Sequence, residues 1–232
     1  MIAVICAMQE ELDALLERME DDEICKGSSL FYHGIILESQ YHHGKIQDHE
    51  VIATRCGVGM VYAAIATVNL INEFHPQLII NSGVAGSLDK DTHVNDLVVA
   101  DRIANWRIEV PNWERSVSSI HCSYPCDNRV LEIVKDLKQD HIRIGPIVSS
   151  DEFIRFKKQT GIIQRYFPEA LAGEMEGAAI ANVCYAYQIP CSIIRSISDE
   201  TLVNGDYKNF DFNLSEACDR AAELCKEIIM RY

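Results

Sequence analysis

Three carboxylates stand where surface solvation does not account for them. Glu11 follows an apolar run, Ile2 to Ala7, and a turn at Met8; Glu176 lies in Glu174-Met175-Glu176-Gly177-Ala178-Ala179, at the opening of an apolar segment; Asp199 ends the run Cys191-Ser192-Ile193-Ile194-Arg195-Ser196-Ile197-Ser198. Acids embedded in apolar sequence at strand ends are candidates for proton transfer, because burial and mutual repulsion move their titration away from that of surface carboxylates. If the three ends converge, one pocket holds three carboxylates and one buried-strand cation, Arg195, a set suited to general acid and base work. Taken singly, each acid reads equally well as the cap of a first helical turn.

Two glycine-rich stretches lie between the same elements. Cys56-Gly57-Val58-Gly59 has the start of a dinucleotide-binding fingerprint, but the third glycine would fall at Tyr62, so the expected role is a tight turn that lets backbone approach a neighbour. Asn81-Ser82-Gly83-Val84-Ala85-Gly86 follows a buried strand and is expected to turn at its carboxyl end, where open α/β sheets bind small ligands. The chain contains neither a phosphate loop ending in Gly-Lys-Ser/Thr nor a Gly-x-Ser-x-Gly elbow, which leaves triphosphatase and serine hydrolase chemistry without support.

The elements that must position these groups alternate. Ile2 to Ala7 predicts a strand and Glu10 to Met19 a helix, with Leu12, Leu15 and Leu16 at helical spacing. Strands are predicted at Phe31–Tyr41, Val51–Cys56, Gln77–Asn81, Asp96–Asp101, Ile142–Val148 and Cys191–Ile197, and helices at Val61–Phe74, Arg129–Leu137, Glu176–Tyr187 and Asn213–Met230. Ala104 to Asp127, with Trp106 and Trp113, has no period and reads as a lid, binding loop or subunit seam. With no linker, repeat or composition shift, residues 1–232 read as one α/β domain.

Composition removes several classes of function. The 232 residues carry 21 Lys and Arg against 35 Asp and Glu, a formal charge of −14, the wrong sign for gripping nucleic acid or an anionic bilayer. No basic flank precedes the apolar start, and Glu10, Glu11 and Asp13 follow it, so neither a signal peptide nor a membrane span is expected and the cytoplasm is the predicted compartment. Nine scattered cysteines read as free thiols, the close pair Cys122 and Cys126 included. His42, His43 and His49 read as a solvated hairpin and not a metal site.

Beyond these readings, the chain resembles the methylthioadenosine/S-adenosylhomocysteine nucleosidases of the nucleoside phosphorylase and hydrolase superfamily. The likeness runs from Ile2-Ala3-Val4-Ile5-Cys6-Ala7-Met8-Gln9-Glu10-Glu11 through Ile79 to Gly86 and Val148-Ser149-Ser150-Asp151-Glu152-Phe153-Ile154 to Glu174-Met175-Glu176-Gly177-Ala178-Ala179 and Arg195-Ser196-Ile197-Ser198-Asp199. It implies a mixed central sheet flanked by helices in a three-layer sandwich, a homodimer, no cofactor or metal, and hydrolysis of the bond between adenine and ribose in an adenine nucleoside. Under it Asp199 is the general acid toward N7 of adenine, kept protonated by its surroundings and positioned by Ser198. Glu11 is the base for water, with Arg195 helping to hold that water, and Glu176 binds the ribose hydroxyls and stabilises the ribosyl cation. Phe153 stacks on adenine, the Ile154 main chain reads the base edge, Met175 packs on the sugar, and Phe210 closes over the ligand. The resemblance also places Met8, Val84, Ala85, Gly86 and Glu174 around the substrate, and Val110 in a pocket completed by a partner subunit.

Departures from the pattern are specific. Val84 replaces a Ser or Thr hydroxyl with a methyl, Met60 stands where a Lys commonly follows Gly-x-Gly, and Asn105-Trp106-Arg107-Ile108-Glu109-Val110 replaces a Tyr-His-Asp-x-Asp run. Phosphorolysis is the nearest rival, but the places where sister enzymes put phosphate-binding arginines read Asn81 and Glu10-Glu11 here. A catalytically silent nucleoside-binding protein on the same fold is the third reading.

Overall fold

The computed structural model describes residues 1–32, 35–107, 123–200 and 210–232, with backbone alone at 26–32, 35–39 and 210–212. The described elements in chain order are β1 (Ile2–Cys6), α1 (Gln9–Leu16), β2 (Glu20–Tyr32), β3 (Ile35–Ile46), β4 (His49–Arg55), α2 (Met60–Phe74), β5 (Leu78–Ser87), β6 (Leu97–Asn105), β7 (Ser123–Pro125), α3 (Asn128–Leu137), β8 (Ile142–Ser149), α4 (Lys157–Tyr166), β9 (Ala172–Glu174), α5 (Gly177–Tyr187), β10 (Cys191–Asp199) and α6 (Phe210–Arg231).

All described strands join one mixed sheet. Its apolar residues alternate between faces, as a strand period of two requires. Ala3, Ile5, Ile79 and Ile193 pack with Ala63 and Leu70 of α2 and Ala178 and Ala181 of α5. Ile2, Val4, Leu78, Ile80 and Ile194 pack with Leu12 and Leu15 of α1, Val130 and Val134 of α3, and Cys225 and Ile228 of α6. The three-layer α/β architecture expected from the resemblance is what the chain forms.

Five strands close on themselves. β5 pairs with β10, β10 with β6, β6 with β8, β8 with β9, and β9 returns to β5. β1 and β9 share one edge of β5: β1 covers Leu78 to Asn81 and β9 covers Gly86 to Ser87. Between them that edge carries no strand, and this gap becomes the floor of the site.

Several elements differ from the sequence expectation. Asn81 to Gly86 does not turn; it continues β5 and pairs with β10 as far as Gly86, its small residues marking close approach by a neighbour. Phe31 to Tyr41 is not one strand but the meeting of β2 and β3, where Tyr32 pairs with Ile35. The acidic start of β2 and the polar helix α4 were not expected from sequence. His42, expected in solvent, is buried, with Nδ1 2.9 Å from Asp22. Trp106, expected at a lid or seam, packs with Leu88, Ile154 and Ile163. Trp113 and Cys122 lie outside the described residues.

Candidate active site

A cavity of about 260 Å³ opens at the carboxyl ends of β1, β5, β8 and β10. Met8 and Glu11 enter from the β1–α1 junction, and Val84, Ala85 and Gly86 from β5. Phe153 and Ile154 come from the segment after β8, Glu174, Met175 and Glu176 from β9 and its continuation, and Ser198 and Asp199 from β10. Ala7, Val58, Glu152 and Gly173 also line it; the sequence offered no periodic or compositional signal for them. Val110 and the Phe210 side chain lie outside the described residues.

Glu11 occupies the third position of α1 and reaches back as a helix-capping acid does. Its Oε2 accepts from the Ala7 and Met8 N–H groups at 2.8 and 3.0 Å. Its Oε1 crosses to the uncovered edge of β5 and accepts from the Val84 N–H at 3.0 Å. Gly83 makes this possible, since a Cβ there would stand 2.3 Å from Oε1. Burial raises the Glu11 pKa above the ordinary carboxylate value, against the opposing pull of Arg195 and the three backbone donors. Three N–H donors fix the group as an acceptor, the form a base needs.

Glu174 is built into the frame. Its Oε2 accepts from Glu176 N at 3.0 Å and Gly177 N at 2.8 Å, and its Oε1 from the Ser149 hydroxyl. Ser149 Oγ in turn accepts from Ala178 N at 2.8 Å. Arg195 pairs with Glu174 and reaches the side-chain oxygen of Asn81, its other bonds going to the Asn81 and Ile194 carbonyls. Asn81 is itself anchored to the Ile5 carbonyl at 2.9 Å. Arg195 is 2% exposed and does not line the cavity. It is the buried countercharge of Glu174, Glu11 and Glu176. The fork points along the strand pair because Asn81 and Glu174 supply its acceptors.

Glu176 stands just before α5 and accepts from the Gly59 N–H at 2.7 Å. Gly59 has φ +107°, where side chains are strained, and a Cβ would meet Asp151 Oδ1 at 3.2 Å; Asp151 receives Met60 N at 2.7 Å. The first glycine turn therefore serves a carboxylate. Burial, then the charge of Glu174, pushes the Glu176 pKa up to about 8.

Asp199 is 3% exposed and sits just past a register shift between β10 and β5. A bulge of this kind re-aims a side chain next to a site. Ser198 Oγ lies 2.9 Å from Asp199 Oδ1 and 3.3 Å from the Ala85 carbonyl. Among the described residues, no cluster of His, Cys, Asp and Glu could hold a metal ion.

The sequence profile of the phosphorylase superfamily matches residues 1–230. The 5'-methylthioadenosine/S-adenosylhomocysteine nucleosidase of Staphylococcus saprophyticus is 35% identical over 236 residues, covering 99% of each chain. This chain belongs to that nucleosidase family. The Streptococcus pneumoniae MTA/SAH nucleosidase solved with 8-aminoadenine superposes with TM-score 0.88 at 28% identity, covering 100% of this chain and 99% of that one. The futalosine hydrolase of Helicobacter pylori gives 0.84 at 26% identity, covering 100% and 97%.

Two outcomes follow for this nucleosidase-family site. Gly83→Ala drives a methyl into the Glu11 carboxylate and breaks its bond to Val84, so kcat should fall by about 100-fold or more, the scale of a lost acid or base, in a steady-state adenine-release assay. Glu176→Gln removes a charge that the fold resists. Because the folded-state pKa is raised, stability is lost as pH rises from the ordinary carboxylate value toward about 8. Thermal melts should show the variant equal to wild type near pH 5 and more stable above pH 8, by roughly 2–4 °C for each kcal/mol relieved.

Proposed function

We propose that this chain hydrolyses the N-glycosidic bond of 5'-methylthioadenosine and S-adenosylhomocysteine, releasing adenine and the thioribose product. The observation that carries the choice of water over phosphate is the charge of the cavity: its described lining includes Glu11, Glu152, Glu174, Glu176 and Asp199 and no Lys, Arg or His. An anionic nucleophile entering there meets carboxylates, and the buried guanidinium is already taken by Glu174 and Asn81. A neutral water meets no such repulsion.

In this reading Asp199, aligned by Ser198, donates a proton to N7 of adenine and makes the base a neutral leaving group. The ribose acquires oxocarbenium character, which the nearby Glu176 carboxylate stabilises while it holds the sugar hydroxyls. Glu11, fixed as an acceptor, takes the proton of the attacking water. Phe153 and Met175 supply apolar faces to base and sugar. Arg195 acts at a distance, lowering the cost of keeping three acids in one buried site.

The functional unit we propose is a homodimer formed across α2. Val61, Tyr62 and Ile65 are 67%, 54% and 37% exposed, and Val58, 49% exposed, continues this apolar surface into the cavity lining. Exposed apolar surface of this extent favours a subunit contact, and the face is continuous with the site. Eight described cysteines are free thiols, which supports a reducing, cytoplasmic setting; among the described residues no helix is long and apolar enough to cross a membrane.

Purified protein incubated with methylthioadenosine in phosphate-free buffer should release adenine, with no gain on adding phosphate. Asp199→Asn should lower kcat by about 100-fold or more with the fold intact by circular dichroism. Release only in the presence of phosphate would replace hydrolysis with phosphorolysis. Sedimentation should show a dimer that Tyr62→Glu converts to monomer; a monomeric wild type would sink the proposed assembly.

A further inference from the structure

The segment from Ser150 to Phe156 presents Phe153 and Ile154 to the cavity yet contains no strand or helix. Such a stretch holds one shape only if other groups satisfy its polar atoms. One side chain does most of this. Gln159, third residue of α4, accepts from the Arg155 and Phe156 N–H groups at 3.0 and 2.9 Å through Oε1. Its Nε2 donates to the Phe153 carbonyl and to Glu152 Oε2, both at 3.1 Å. A primary amide has two acceptor sites and two donor hydrogens, so the whole capacity of Gln159 is directed at this segment.

A second set of contacts ties the same segment to the positions where the chain departs from its family pattern. Glu152 Oε1 pairs with Arg107. The Arg107 N–H donates to Asn105 Oδ1 at 2.9 Å, and Asn105 Nδ2 lies 3.6 Å from Met60 Sδ. Met60, Asn105 and Arg107 are thus consecutive members of one chain of contacts ending on Glu152. Meanwhile Ile154 is buried, and among the described residues its own N–H and C=O have no hydrogen-bond partner. A buried donor and acceptor left open beside a cavity await a ligand.

We propose that Gln159 is a positioning residue for the base subsite: it locks the segment so that the Ile154 N–H and C=O face the edge of the bound purine while Phe153 meets its face. This rests on the adenine nucleoside reading above. Arg107, through Glu152, is the second anchor of the same lock.

The test uses Gln159→Glu. The substituted carboxylate keeps the acceptor for the Arg155 and Phe156 N–H groups, and hence the start of α4, but cannot donate to the Phe153 carbonyl and repels Glu152. The melting temperature should stay close to wild type. The KM for methylthioadenosine and the Kd for adenine by calorimetry should both rise about tenfold, a change of about 1.4 kcal/mol, with kcat little altered. Inhibition by methylthioribose, which lacks the base, should be unchanged. Arg107→Gln should weaken adenine in the same direction by a smaller factor. Wild-type adenine affinity in Gln159→Glu would overturn the proposal, as would an equal loss for adenine and methylthioribose. Adenine binding by wild type without hydrolysis would instead overturn the nucleosidase assignment, since calorimetry reads the base subsite independently of turnover.

Discussion

A buried guanidinium shared among carboxylates is the constraint on which the site depends. Removing charges from water costs several kcal/mol per ion unless geometry and hydrogen bonds repay it, and Arg195 is almost wholly enclosed. Its repayment comes from Glu174, the Asn81 side chain and two strand carbonyls. Because Asn81 also grips the end of β1 and Glu174 grips the start of α5, the cation joins β1, β5, β10 and α5. The same charge draws down the pKa values of Glu11 and Glu176, which burial raises. The buried acids are therefore held together by a group that does not line the cavity.

Capping and chemistry are not rival readings of these acids. Glu11 reaches back to the N–H groups of Ala7 and Met8 just ahead of α1, as the third residue of a capping box does, then extends its second oxygen to the one stretch of β5 that neither β1 nor β9 covers. The helix start positions the carboxylate, and the sheet gap gives it an outlook on the cavity. Gln159 repeats the device at α4, reaching back from the third helical position to the segment before it. In both cases a local backbone need fixes a side chain to better precision than a free rotamer on a loop would have.

The legible parts of the sequence were those where composition and position conflict. Acids at the ends of apolar runs marked Glu11, Glu176 and Asp199, and the alternation of apolar periods gave the α/β class. What escaped was set by tertiary contact. Glu20, Asp21, Asp22 and Glu23 disfavour a strand by propensity, yet pairing of Glu20 and Glu23 with β3, on either side of an irregularity, draws the run into β2. Lys157 to Tyr166 carries Gly161 and few apolar residues, so its helix had no strong period to announce it. Asn81 to Gly86 looked like a turn because glycine usually signals one; Gly83 instead clears space for Glu11. For Arg195, a sequence reveals a strand cation but not which way its fork points, and the fork lies on Glu174 and Asn81. Gln159, a polar residue on a polar helix, gave no signal at all.

The start of α5 carries a further consequence. Helix N-termini concentrate partial positive charge and free N–H groups, and so make natural cradles for phosphate. Here every such donor next to the cavity is engaged from within: Glu176 N and Gly177 N by Glu174, and Ala178 N by Ser149. The macrodipole is answered by an anion covalently tethered to the chain. A diffusible oxyanion would have to evict that resident and strand Arg195, whereas an uncharged molecule competes with nothing.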